Sequence, residues 1–126
     1  VNCPFCEEAA AENHLAETSL SFAFPDRYPV APGHLLVAPL RHEADFRNLT
    51  SEEQADALML AARLASESQS EGVNVGINIG EPAGQTIPHV HIHVIPRVRG
   101  DVQDPRGGVR WVIPERAPYW DDLDRD

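Results

Sequence analysis

Residues 89–97 read His89-Val90-His91-Ile92-His93-Val94-Ile95-Pro96-Arg97, so three of the chain's six histidines fall within five positions. They alternate with β-branched residues. Period two belongs to a β-strand, so the pattern predicts His89, His91 and His93 on one face and Val90, Ile92 and Val94 on the other. Neighbouring imidazoles on such a face stand about 7 Å apart. Packing calls for no such row, and three readings compete. The histidines are incidental on a surface strand. Or His-x-His supplies two ligands of a catalytic metal that keeps a water at an open position. Or one imidazole is a nucleophile and the others position it or its substrate.

The segment before the histidines helps to choose. Gly80-Glu81-Pro82-Ala83-Gly84-Gln85-Thr86 is a glycine-bearing loop. Backbone N–H groups and polar side chains in such a loop can surround an anion. An ordinary hairpin connection has the same composition. Joined directly to three histidines, however, the loop points to a phosphate held beside an imidazole.

Cys3-Pro4-Phe5-Cys6 holds both of the chain's cysteines. A thioredoxin-type pair needs a βαβ context, which the pattern lacks. A disulfide is disfavoured in a reducing compartment. Structural zinc needs two further ligands, and histidines are available.

The positioning elements follow from periodicity. His14–Thr18 and Ser21–Phe24 predict two short strands in a hairpin, broken by Pro25-Asp26-Arg27-Tyr28-Pro29. After an Ala31-Pro32-Gly33 turn, His34–Ala38 predicts a strand ended by Pro39. Thr50-x-x-Glu53 is a capping box that opens the one clear helix. Its apolar stripe reads Ala55, Leu58, Met59, Ala62 and Ala65, with Gly72 as the stop. Val73–Ile79 predicts a strand, and Val109–Ile113 a short one in an otherwise irregular tail. His14 reads as a surface residue. Strands, one main helix, then strands imply an α+β domain on an antiparallel sheet.

Bulk properties narrow the function. A chain of 126 residues suits one domain that buries a core without disulfides. A net charge of −10 argues against nucleic acid, because binding there draws on released counterions. Small anions remain possible through local donors. All ten basic residues are arginine, which genome composition explains. Neither a long apolar run nor a charged-then-apolar leader is visible, so the expectation is a cytoplasmic protein that binds no membrane.

Gly84-Gln85-Thr86-x-x-His89-x-His91-x-His93 resembles the signature of the histidine triad (HIT) family, and Pro32-Gly33-His34-Leu35-Leu36-Val37-Ala38-Pro39 resembles a second family segment. The resemblance covers residues 3–100, leaving 101–126 as an extension of a single domain. It implies a HIT fold, a meandering antiparallel sheet with one main helix. It implies a nucleotidyl hydrolase or transferase acting at the α-phosphate of purine nucleotides, either dinucleoside polyphosphates or nucleoside phosphoramidates. By carry-over His91 attacks the α-phosphorus, His93 donates to a phosphate oxygen, and His34 sits behind the triad and stabilises its charge as a third catalytic residue. Gly84 belongs to the phosphate loop, whose Gln85 and Thr86 hold the phosphates and the leaving group, and Asn78 contacts the nucleotide. Asp26 binds ribose hydroxyls, while Phe5 and Phe24 line the base pocket. Arg97 and Arg99 either meet distal phosphates or are simply solvated. Many bacterial members resemble this chain in a Cys-x-x-Cys pair completed by two histidines. That implies structural Zn2+ on Cys3, Cys6, His42 and His89. Members pair as homodimers through the helix and a sheet edge. Two rivals stand beside this reading: a zinc hydrolase whose triad holds the metal, and a nucleotide-binding regulator with little turnover.

Overall fold

A computed structural model describes residues 2–11 and 14–123. The chain runs α1 (Pro4–Ala10), β1 (Ala16–Glu17), β2 (Ser21–Pro25), β3 (Leu35–Pro39), α2 (Ser51–Glu67), β4 (Gly72–Ile77), β5 (Ile92–Arg97) and α3 (Trp120–Leu123). The five strands form one antiparallel sheet in the order β1-β2-β3-β5-β4. β1 to β3 meander. The chain then passes through α2 to the far edge as β4 and returns as β5 between β4 and β3. This is the expected α+β architecture. Among the described residues no helix is long and apolar enough to cross a membrane.

Each sheet face has its own core. Ala23, Val37, Ile92 and Val94 pack against Ala57, Leu60, Ala61 and Leu64 of α2. On the opposite face Phe22, Phe24, Leu36 and Ala38 meet Phe5 and Ala9 of α1. The second face therefore carries the site, with α1 covering part of it.

The cap of α2 forms as the sequence predicts. The Thr50 hydroxyl accepts from the Glu53 N–H, and the Glu53 carboxylate accepts from the Thr50 N–H. Glu53 also takes two hydrogen bonds from Arg41, at 2.9 and 3.0 Å, which hold its carboxyl down to about 2.

Four expectations need correction. The buried stripe of α2 is Ala57, Leu60, Ala61 and Leu64; Leu58 and Met59 are 44% and 71% exposed, and Ala55 and Ala62 face outward too. Close approach of helix to sheet selects alanine over bulk, so the largest apolar residues misled the periodicity. Gly72 does not stop the helix. Gln69 takes the positive φ of 55° and Gly72 opens β4. Residues Gly108–Val112 form a 3-10 turn, not a strand, after two glycines with positive φ. Finally, the His14 side chain is only 6% exposed. Its Nε2 donates to the Glu8 carbonyl at 2.8 Å and its ring lies against Phe22, which ties α1 to the sheet.

Candidate active site and metal centre

The histidine run enters β5 rather than filling it. The strand begins at Ile92, so only His93 is inside it. The alternation survives, with Val90, Ile92 and Val94 in the interior. His91 and His93 rings are 5.2 Å apart, closer than an ideal strand face gives. His89 and His91 are buried as well, which removes the reading as incidental surface residues.

Hydrogen bonds fix each ring's tautomer. A carbonyl only accepts, so His91 Nδ1 must donate to the His89 carbonyl, at 2.8 Å. That leaves a lone pair on His91 Nε2. A backbone N–H only donates, so His34 Nδ1 accepts from Val30, at 3.1 Å. In the neutral ring His34 Nε2 then carries the proton and donates to His93 Nδ1, at 3.0 Å. Asp26 Oδ2 lies 3.4 Å from the same nitrogen. His93 is left with its proton on Nε2. The pair thus offers one lone pair (His91 Nε2) and one donor (His93 Nε2).

Both sit in a cavity of 740 Å³ whose walls include Phe5, Phe24, Asp26, Asn78, Gly84 and Thr86. The Phe5 ring stands edge-on to His91 at 4.9 Å and to Phe24 at 5.2 Å. Asp26 combines two tasks. Its Oδ1 accepts from the Tyr28 N–H at 2.8 Å and shapes the turn, while Oδ2 faces His34.

Gln85 differs from expectation. Its Oε1 accepts from the Gly80 N–H, and its Nε2 donates to the Ala44 and Ile87 carbonyls. Both amide protons are used, so the side chain braces the loop and leaves Gly84 and Thr86 to line the cavity. Arg97 is paired with Asp101 and Asn74, and Arg99 with Glu71.

Burial pushes the His34 ring below its ordinary value, against the pull of Asp26. Burial likewise lowers His93, helped by His91 and His34. An unfolded histidine binds a proton as pH falls through about 6.5, and these folded rings resist it. Unfolding then takes up protons, so stability falls as pH drops below that point. Calorimetry should give a level Tm above about pH 7.5 and a decline from about 6.5 downward, partly flattened in His34→Gln. Glu53 contributes nothing there, since its loss begins only below 4.5. A Tm that stays level to pH 5 would contradict this account.

The third histidine belongs to another cluster. His89 Nε2 donates to the Pro39 carbonyl at 2.8 Å, so its Nδ1 keeps a lone pair. That nitrogen faces His42 Nδ1 at 3.3 Å, Cys3 Sγ at 3.4 Å and Cys6 Sγ at 3.6 Å; His42 Nδ1 lies 3.2 Å from Cys6 Sγ. Tetrahedral zinc with bonds of about 2.0 Å to nitrogen and 2.3 Å to sulfur requires N···N near 3.3 Å and N···S near 3.6 Å. The four ligand atoms all lie within 4.8 Å of one another. The Cys6 N–H also points at Cys3 Sγ. The chemistry and spacing of the donors fit a closed four-ligand site.

A glycine loop, a strand-entry row of histidines and this strand order together define the histidine-triad class of fold. The HIT domain family matches residues 7–100. The chain belongs to the HIT domain family. A bis(5'-adenosyl)-triphosphatase of Dictyostelium discoideum is 39% identical over 105 residues, covering 80% of this chain and 70% of that protein. An adenosine 5'-monophosphoramidase of Schizosaccharomyces pombe is 39% identical over 100 residues, covering 77% and 75%. A zinc-bound histidine triad family protein from Mycobacterium smegmatis superimposes with a TM-score of 0.73 at 31% identity, covering 81% and 79%.

Proposed function

We propose that this protein is a nucleotide hydrolase that breaks the bond between an α-phosphate and its leaving group, through a nucleotidyl-imidazole on His91. The tautomer assignment carries this reading. His91 Nδ1 is committed to the His89 carbonyl, which aims the Nε2 lone pair into the cavity. The names of the relatives from Dictyostelium and Schizosaccharomyces support nucleotides as substrates.

The steps balance. His91 Nε2 gives its lone pair to the α-phosphorus as the bond to the leaving atom breaks. The leaving atom departs with that electron pair and takes up one proton. Water then attacks the phosphorus, the P–N bond breaks, and the lone pair returns to Nε2. The proton that water releases balances the one taken up. His93 Nε2–H and the Thr86 hydroxyl are the donors for the phosphate oxygens, where charge develops. The Asp26 carboxylate suits ribose hydroxyls, and Phe5 and Phe24 suit a base.

Zinc on Cys3, Cys6, His42 and His89 would be structural, since four protein ligands leave no open position. It resembles the metal named for the Mycobacterium relative. A homodimer is supported by the free edge at β4 and by exposed Leu58 and Met59 on α2; sedimentation velocity decides it.

The test is incubation with adenosine 5'-phosphoramidate and with diadenosine polyphosphates. We expect AMP release and, after acid-free quenching, an AMP-sized mass increment on the peptide that holds His91. Intact nucleotide binding with neither product nor adduct would sink the enzyme reading in favour of a regulator.

A further inference from the structure

The cavity beside His91 is also lined by two charged side chains that nothing in the fold uses, Glu8 and Arg27. Glu8 stands three residues beyond Phe5 on α1, so the two share one side of the helix. The Glu8 carbonyl takes the His14 ring, but its half-buried carboxylate has no partner among the described residues. Arg27 lies in the turn that Asp26 closes through the Tyr28 N–H. Its guanidinium has no partner among the described residues either. Six other arginines each pair with a carboxylate. In a chain of net charge −10, an unpaired guanidinium at the wall of a cavity calls for a ligand.

The chemistry of the two groups says which ligand. With the phosphate at His91, the ribose on Asp26 and the base against Phe5 and Phe24, the rim of the base comes to the wall that carries Glu8 and Arg27. A carboxylate only accepts hydrogen bonds, and a guanidinium only donates them. Guanine answers both. Its N1–H and N2–H2 are adjacent donors that match the two oxygens of a carboxylate, and its O6 and N7 accept two hydrogen bonds from one arginine. Adenine sets its N6–H2 donor beside the N1 lone pair. Against Glu8 it makes one hydrogen bond and turns a lone pair toward a charged oxygen, which leaves an acceptor unpaired.

We propose that Glu8 and Arg27 read the edge of the base, and that the protein selects guanine nucleotides over adenine nucleotides. The proposal rests on the nucleotide reading of this cavity. Phe5 and Phe24 suit any aromatic ring, so discrimination falls to the two charged groups at its rim. A site built to pair an N–H rejects the analogue that lacks it, because the site's own polar group is then left unsatisfied.

The test separates the base from the chemistry. Calorimetry with GMP, IMP and AMP reads binding, and the 5'-phosphoramidates of guanosine and adenosine read turnover. The unaltered protein should favour guanine over adenine by at least about tenfold in Kd and in kcat/KM. IMP keeps N1–H and lacks the amine, so it should fall between GMP and AMP. Glu8→Gln sets a donor beside an acceptor, the pattern that pairs with adenine, so the preference should turn toward AMP. Arg27→Met should weaken GMP by about tenfold and AMP by less. A side chain that merely held α1 or the turn in place would, when changed, weaken both bases alike. If Glu8→Gln fails to fold, Arg27→Met in the exposed turn supplies the comparison. Equal affinity for GMP and AMP, or a guanine preference that survives both variants, overturns the proposal alone. Guanine-selective binding with turnover of neither phosphoramidate supports the proposal and overturns the hydrolase reading. Binding of none of the three nucleotides overturns both.

Discussion

His91→Ala is expected to lower turnover by at least about 10^4-fold, the scale of losing a covalent nucleophile. With zinc on the proposed Cys3–Cys6–His42–His89 site, its content should stay unchanged, because His91 is not among those four donors. The size of the effect separates the roles within the triad. On the proposed mechanism His93→Ala removes a donor to the phosphate, and loss of one such donor costs about 10^2- to 10^3-fold. On the same proposed mechanism His91→Ala removes the bond-forming atom itself, and the neighbouring His93 cannot replace it. His93 Nδ1 is occupied by the His34 N–H, so a neutral ring turns a proton and not a lone pair toward the cavity. The same experiment tests the metal-hydrolase alternative. A catalytic ion on the triad would leave with the His91 ring, so turnover and metal would fall together. The measurement is single-turnover kinetics with metal analysis of the same sample. Loss of turnover at full metal content supports the nucleophile; loss of both transfers the chemistry to a metal.

Residue identity and spacing made the site legible further than the fold's details. The triad, the capping box at Thr50 and the strand at His34–Ala38 are local signals, and each lies close to its expected place. What stayed hidden depends on contacts distant in sequence. Nothing near Ala57 or Ala61 signals that these small residues lie against the sheet while Leu58 and Met59 do not. The Gln85 side chain is written as a phosphate ligand by resemblance, and only the approach of the Ala44 carbonyl shows its bracing task. α1 has only seven residues and starts at Pro4, and its apolar pair Phe5 and Ala9 is too short a pattern to stand out in the sequence. One signal for α1 lies in the sequence itself: Cys3 is both a metal-type donor and an N-cap, accepting from the Cys6 N–H. A cysteine followed by proline and a second cysteine three residues on can open a helix whose first turn grips an ion.

That grip carries the second large expectation. His89→Ala and Cys3→Ser should each lower the metal content well below one ion per chain and lower Tm by about 10 °C or more, given that several kcal/mol of metal binding is folding energy and each kcal/mol shifts Tm by about 3–5 °C. The cluster joins three parts of the chain: Cys3 and Cys6 at α1, His42 after β3, and His89 before β5. A helix this short is unstable in isolation, and α1 buries none of its own residues fully. Its hold on the sheet comes from the cluster, from the Phe5 contacts and from His14. Freed from the cluster, α1 would carry Pro4, Phe5 and Glu8 away from the cavity they line. Loss of the ion should therefore raise KM more than it lowers kcat, because binding surface is lost while His91 keeps its hydrogen bond to the main chain of residue 89. The His89 change preserves that carbonyl, and Cys3→Ser leaves both histidines in place, so the two variants test the metal from opposite sides. Set beside His91→Ala, the outcomes cross: one substitution keeps the ion and loses kcat, the others lose the ion and mainly KM. Variants at Cys3 and His89 that retain a full ion and an unchanged Tm would dissolve the division of the triad into one anchor and a catalytic pair.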